Sequence, residues 1–249
     1  MIVIAGDSWG CGEWKDTKRT HTGLEQYLRD DNHDVINISM PSASPGNILS
    51  RLSLLLEVLT TTHQIENITH VFVFQTEWVR DFRLSMMPEV NDLVRRKEYP
   101  KFVIPTWFDA TISGVLISRW YYRLVELTKK YNIRIGLIGG CSDTLSPEIV
   151  KNEYPNLYVA CQSLTNLCIY NQHILDNPVF LASSDSDDFL DHCKKQYGSI
   201  NYIVELLESA LQRYQAWDDH PEWFKPDGIH ANRHSHFKLY TYLKEQFNL

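Results

Sequence analysis

The chain has 249 residues, 43% of them hydrophobic and 22% charged, with a formal net charge of −7. Such a chain is long enough to bury a sizeable core and has the make-up of an ordinary soluble globular protein. The acidic balance excludes a general nucleic-acid surface, which needs clustered Lys and Arg. The short basic runs Arg95-Arg96-Lys97 and Lys129-Lys130 sit beside acidic residues and read as solvated faces. Five cysteines (Cys11, Cys141, Cys161, Cys168, Cys193) are odd in number and form no Cys-x-x-Cys pair. This pattern predicts reduced thiols in a cytoplasmic compartment, with neither a disulfide framework nor a zinc site. The N-terminus lacks the layout of a signal peptide, and no apolar run approaches membrane-spanning length, so no membrane partner is expected.

In chain order, Met1 to Ala5 is apolar and partly β-branched, which predicts a buried parallel strand that stops at Gly6-Asp7-Ser8. Leu24, Tyr27 and Leu28 recur at helical spacing and predict a helix from about Thr20 to Asp31. Val35 to Ile38 reads as a second strand, Ser39 to Pro45 as a loop, and Ile48, Leu52, Leu55 and Leu59 as one face of a longer helix. A third buried strand, Val71 to Phe74, ends at Gln75-Thr76-Glu77-Trp78. The region 79–111, broken by Pro88, Pro100 and Pro105 and rich in aromatics, reads as an insertion over the sheet edge.

Ile117, Trp120, Tyr121, Leu124, Leu127 and Tyr131 mark an amphipathic helix that feeds a strand from Ile133 to Ile138. Asn156 to Ala160 reads as a fifth strand. The stretch 161–198 shows no clear period and reads as a second insertion. Its acidic run, Asp185 to Asp191, lacks the spacing and glycine hinge of a calcium loop. Ile200, Ile203, Val204, Leu207, Leu211 and Tyr214 mark another helix, Trp217 to His230 a loop, and His236, Tyr240, Leu243 and Phe247 a closing helix. Alternating strands and helices without repeat or linker predict one α/β domain over residues 1–249, with a mostly parallel sheet covered on both sides.

In an open α/β sheet, ligands bind beyond the carboxyl ends of the strands. Ser8, just past the first strand, is therefore either a nucleophile at the functional edge or the cap of a short helix. Near the other end stands Pro226-Asp227-Gly228-Ile229-His230-Ala231-Asn232. A serine nucleophile needs a base, and the base needs an acid group to fix its tautomer. Asp227 and His230, three residues apart in a turn, can present both groups on one side; the alternative is an Asp-Gly turn followed by a surface histidine. His220, His234 and His236 do not share a face suited to a metal.

The two motifs resemble those of the SGNH, or GDSL, hydrolases. Gly6-Asp7-Ser8 resembles the family's first block, with Trp9 in place of the usual Leu, and Asp227-Gly228-Ile229-His230 resembles its closing Asp-x-x-His block. The resemblance implies a three-layer α/β/α sandwich with a five-stranded, flavodoxin-like sheet. It implies Ser8 as nucleophile, His230 as base and Asp227 as its orienter, with no metal or organic cofactor. It further implies an oxyanion hole built from the Ser8 N–H, a backbone donor at Ser42 (or Gly46), and a side-chain amide from a third block.

In this chain the third block reads Gln75-Thr76-Glu77-Trp78, which puts Glu77 where the family has asparagine. An ionised carboxylate cannot donate to an oxyanion. The amide then falls to Gln75 or Asn47, and Glu77 binds a cationic or hydroxyl-rich substrate group, pairs with Arg80 or Arg83, or sits neutral with a raised pKa. Trp9, Glu77, Trp78 and Arg80 are candidate substrate-binding residues, and Trp14, Trp107 and Phe108 are further aromatics for a pocket or for the core. The reading is a serine esterase acting on a small-molecule ester, with an O-acyl group on a carbohydrate as the leading class. The alternatives are a binding or structural protein that keeps the fold with weakened catalysis, and an acyltransferase that uses the same serine.

Overall fold

A computed structural model describes residues 1–15, 18–76, 110–176, 178–179 and 212–249, with side chains of the helix at 110–131 described from Ile117 onward. The expectations for 79–109, for the acidic run at 185–191, and for Glu77, Trp78, Arg80, Trp107, Phe108 and Cys193 lie outside the described residues.

The central sheet has five strands: β1 (Ile2–Ala5), β4 (Val35–Asn37), β5 (His70–Gln75), β6 (Ile135–Gly139) and β7 (Leu157–Cys161). Their order across the sheet is β4-β1-β5-β6-β7, and every neighbouring pair is parallel. This is the flavodoxin-like order, in which the chain reverses its direction of travel across the sheet at the gap between β1 and β5. In sheets of this order, ligands bind beyond the carboxyl ends of the strands that flank this point.

The strand sequences explain the layering. Successive side chains of a strand point to opposite faces, and a parallel sheet is buried on both, so its strands need apolar residues at every position. On one face Ile2, Ile4, Phe72, Phe74 and Ile138 join Leu24, Leu28, Leu164, Trp217, Phe224, Leu239 and Leu243. On the other, Val3, Ala5, Val71, Val73, Ile135 and Leu137 join Ile48, Leu52, Leu56, Tyr121, Leu124 and Val150. The first layer is carried by α2 (Leu24–Asp30), α6 (Leu164–Tyr170), the helical residues 212–219, α7 (Pro221–Phe224) and α8 (Arg233–Phe247). The second is carried by α3 (Pro45–Thr61), α4 (Ala110–Tyr131) and α5 (Pro147–Glu153). The result is a three-layer α/β/α sandwich.

Three local expectations are corrected. Thr20 and His21 are not helical: they belong to β3 (Lys18–His21), which pairs antiparallel with β2 (Glu13–Lys15) as a hairpin separate from the central sheet. The Thr20 hydroxyl donates to Glu13 Oε1 at 2.7 Å, and α2 starts only after Gly23, whose φ of +63° breaks the strand. Trp217 to His230 is not a plain loop, because residues 212–219 and Pro221–Phe224 are helical, anchored by the buried Trp217 and Phe224. Within the unparsed stretch 161–198, Leu164–Tyr170 is a helix capped by Ser163 Oγ, with Leu164, Leu167 and Cys168 buried.

Candidate active site

Strand β1 ends at Ala5, and Gly6 and Asp7 turn the chain into a four-residue helix, α1 (Ser8–Cys11). The cap of α1 is Asp7, whose Oδ1 accepts the Trp9 N–H at 3.0 Å. Ser8 is thereby released from the capping role and stands at the first helical position. Asp7 is fully buried, and its Oδ2 accepts the Thr76 hydroxyl at 2.6 Å. The turn after β1 is thus tied to the residue after β5, on the two sides of the reversal point.

The closing motif reaches the same place. Asp227 Oδ1 accepts the N–H groups of Ile229 and His230 at 3.0 and 2.9 Å, and Gly228 adopts a φ of +76° that an L side chain would resist. This turn aims Asp227 Oδ2 at His230 Nδ1, 2.5 Å away, and His230 Nε2 lies 2.8 Å from Ser8 Oγ. A carboxylate accepts only, so Nδ1 carries the proton, Nε2 is bare, and the Ser8 hydroxyl donates to it. Burial pushes the Asp227 carboxyl up, but hydrogen bonds from the His230 ring and from the two N–H groups outweigh it and hold the group below its ordinary value. Asp227 therefore stays ionised at neutral pH. Serine, histidine and aspartate form one continuous hydrogen-bonded line, the arrangement that deprotonates a hydroxyl as it attacks.

Trp14, on β2, covers this line. Its indole N–H donates to the Ser8 carbonyl at 3.1 Å, and its ring centre lies 6.3 Å from that of His230. Cys11, one turn beyond Ser8, is no rival nucleophile, because burial and the neighbouring Asp7 push its thiol up to about 12. Glu13, behind Trp14, is held down at about 2 by hydrogen bonds from Arg233 against the effect of its burial.

The remaining sequence-derived candidates separate. Trp9 is not a substrate contact: it is 1% exposed and packs in the core against Trp217 and Phe224, with ring centres 5.3 and 6.2 Å apart. Its position beneath α1, on the inward side of a short helix, is why. Gln75 is buried and its amide is committed, with Nε2 donating to the Asp143 carbonyl and Oε1 accepting the Tyr121 hydroxyl at 2.7 Å. It braces β5 against the loop after β6.

Ser42 sits at a φ of +58° in a turn closed by the Ala43 N–H on the Met40 carbonyl at 3.1 Å. That turn is joined to the Gly6 carbonyl by the Met40 N–H at 3.0 Å. A non-glycine residue held at positive φ is costly and is retained where surrounding structure demands it. Asn47 lies in the first turn of α3 with its N–H on Ser44 Oγ at 3.2 Å. Neither Ser42 nor Asn47 hydrogen-bonds Ser8. The Ser8 N–H, at the first position of α1, has no intrahelical acceptor.

Thr76, Trp14 and Glu13 were not singled out by sequence as a support for Ser8. Glu13 and Trp14 follow Ser8 closely in the chain, but their partners are set by the fold. Among the described residues, no group of three or more His, Cys, Asp or Glu is placed to hold a metal ion, and no helix is long and apolar enough to cross a membrane.

No protein-family model and no curated protein matches the chain. Among solved structures, it is similar to a psychrotrophic esterase, EstA, from Pseudoalteromonas sp., in a form inhibited by monoethylphosphonate. The identity is 14% over 100% of this chain and 98% of that one, with a TM-score of 0.41. It is also similar to TesA, at 16% identity over 98% of this chain and 96% of that one, with a TM-score of 0.38.

Proposed function

We propose that this protein is a serine hydrolase of the SGNH type that cleaves an ester through an acyl-enzyme on Ser8. The observation that carries the reading is the line from Ser8 Oγ to His230 Nε2 at 2.8 Å and from His230 Nδ1 to Asp227 Oδ2 at 2.5 Å. In the first half-reaction Ser8 Oγ attacks the acyl carbon while His230 Nε2 takes its proton, and Asp227 stabilises the imidazolium that forms. His230 then gives that proton to the departing alkoxide. In the second half-reaction the same nitrogen takes a proton from water, whose oxygen attacks the acyl carbon, and then returns that proton to Ser8 Oγ as the bond from Oγ to the acyl carbon breaks and the acid is released.

The Ser8 N–H and a backbone donor from the turn at Ser42 are the proposed oxyanion donors, with the Asn47 side chain as the proposed third. The commitment of the Gln75 amide favours a second reading, a protein of the same fold with weakened catalysis. A fluorophosphonate probe separates the two. Labelling that disappears in Ser8→Ala supports the hydrolase, and a folded protein that never labels supports the binding reading. Release of acid from a panel of aryl esters and O-acetylated sugars, with and without added alcohol acceptors, then divides hydrolysis from acyl transfer.

A further inference from the structure

Ser8 and His230 are 222 residues apart in the chain, and a hydroxyl–imidazole bond by itself is a weak tether between two chain ends. A second connection crosses the same gap. Glu13, five residues after Ser8, is buried on the hairpin, and Arg233, three residues after His230, opens α8. The Arg233 backbone N–H donates to Glu13 Oε2 at 2.9 Å, its Nε to Oε2 at 3.0 Å, and its Nη2 to Oε1 at 2.7 Å. Thr20 on the second strand of the hairpin adds its hydroxyl to Oε1 at 2.7 Å. The Arg233 carbonyl in turn accepts the Tyr27 hydroxyl from α2 at 3.0 Å.

A planar guanidinium on a carboxylate fixes direction as well as distance, and this one is reinforced by the backbone of the same arginine. Among the described residues, the hairpin that carries Glu13 pairs with no strand of the central sheet, so side-chain contacts help to set its position. From the residue next to Glu13, Trp14 reaches the Ser8 carbonyl and lies with its ring tilted against that of His230. Gly12 makes the bend between α1 and the hairpin at a φ of +114°, where an added Cβ would lie 2.2 Å from the His21 carbonyl oxygen.

We infer that Glu13 and Arg233 are a positioning pair that holds the serine end of the chain in register with the histidine end, with Trp14 passing that register to Ser8 and His230. The inference rests on Ser8 being the nucleophile. The pair touches no reacting atom; it fixes the Ser8 Oγ to His230 Nε2 distance on which proton transfer depends. A displacement of about 1 Å at such a distance costs about a hundredfold in rate.

The test is the second-order rate of fluorophosphonate labelling at Ser8, with kcat and KM on an aryl ester and the melting temperature measured in parallel. Glu13→Gln and Arg233→Met are each expected to slow labelling by about 10- to 100-fold and to lower kcat with little change in KM. The double variant should be no slower than the worse single one, because both remove one connection. Arg233→Lys keeps the charge but loses the fork and should fall between.

Trp14→Phe removes the indole N–H without touching the buried carboxylate, and it is expected to slow labelling while the fold is retained; it carries the comparison if the charge variants do not fold. A pair that serves stability alone would lower the melting temperature and leave labelling of the folded variants at the parental rate, which overturns the inference. An unsubstituted protein that does not label overturns the hydrolase reading and this one together, whereas normal labelling in every variant overturns only this one.

Discussion

Thr76 donates its hydroxyl to Asp7 Oδ2 at 2.6 Å, joining the residue that follows β5 to the residue that caps the helix of Ser8. Both are buried, and they stand on either side of the point where the strand order reverses. The turn that presents Ser8 is thus fixed from beneath by a side chain 69 residues away. Thr76→Val keeps the shape and removes the donor. It should cost about 1–3 kcal/mol of unfolding free energy, read from urea unfolding, together with a slower labelling rate at Ser8.

Asp227 acts on His230 by fixing which nitrogen carries the proton. Asp227→Asn retains the size of the group but presents an amide that can stabilise the other tautomer, which leaves Nε2 protonated and unable to accept from Ser8. Turnover is expected to fall by about 10^3- to 10^4-fold with KM little changed, as measured on an aryl ester. Because the Asp227 carboxyl is held below its ordinary value in the folded protein, its ionised form stabilises the fold at neutral pH. That contribution is lost as pH falls through the folded-state value, and Asp227→Asn should flatten the stability profile at the acid end.

Trp9 follows the proposed nucleophile directly yet belongs to the core. Trp9→Ala should therefore lower stability by about 3–5 kcal/mol, through lost contacts with Trp217 and Phe224 and the cavity left behind. A residue that bound substrate would instead raise KM while the denaturation midpoint held. Phe224 opens the turn that carries Asp227, its carbonyl accepting the Gly228 N–H at 2.9 Å, so a fall in kcat is expected to accompany the instability.

His236 is fully buried in α8, and neither ring nitrogen has a hydrogen-bond partner among the described residues. Burial holds it down at about 3, with smaller contributions of opposing sign from His21, Glu13 and His230. The unfolded chain binds a proton near the ordinary histidine value and the folded chain does not. Stability is therefore complete above about pH 6.5 and falls as pH drops toward about 3. Between pH 6.5 and 5 this one site accounts for about 2 kcal/mol. His21, His70 and His173 are also lowered by burial and steepen the parental profile. His236→Phe, compared with the parent in thermal melts at pH 5 and pH 7, should lose its share of the difference.

Glu77 directly follows Thr76 in the sequence and lies outside the described residues. The proposed hydrolase reading aligns Glu77 with the family's oxyanion asparagine, and restoring an amide at that position tests the alignment. Glu77→Asn is expected to raise kcat, by up to about a hundredfold for one added oxyanion donor. A large loss of turnover would show that the carboxylate acts on the substrate.

Much of this molecule follows from local sequence. The two-sided apolar runs at Ile2–Ala5 and Val71–Phe74 dictate buried parallel strands, because each face of such a strand meets a helix layer. The order Ser8, then Asp227 and His230, marks three polar groups whose chemistry is complementary, and a tight turn already confines the last two. The hairpin at Glu13–His21 escaped notice because its strands are three and four residues long and polar, with no period to detect.

What only the tertiary structure decides is which side chains are spent on the fold and which are left for a ligand. Trp9 and Gln75 read as candidate site residues beside Ser8, and Glu13 carries no assignment in the sequence. In space they meet Trp217, Asp143 with Tyr121, and Arg233, all distant in the chain. Side-chain direction on a four-residue helix and hydrogen bonds across the sheet depend on packing between remote segments, and no local pattern of residues encodes them.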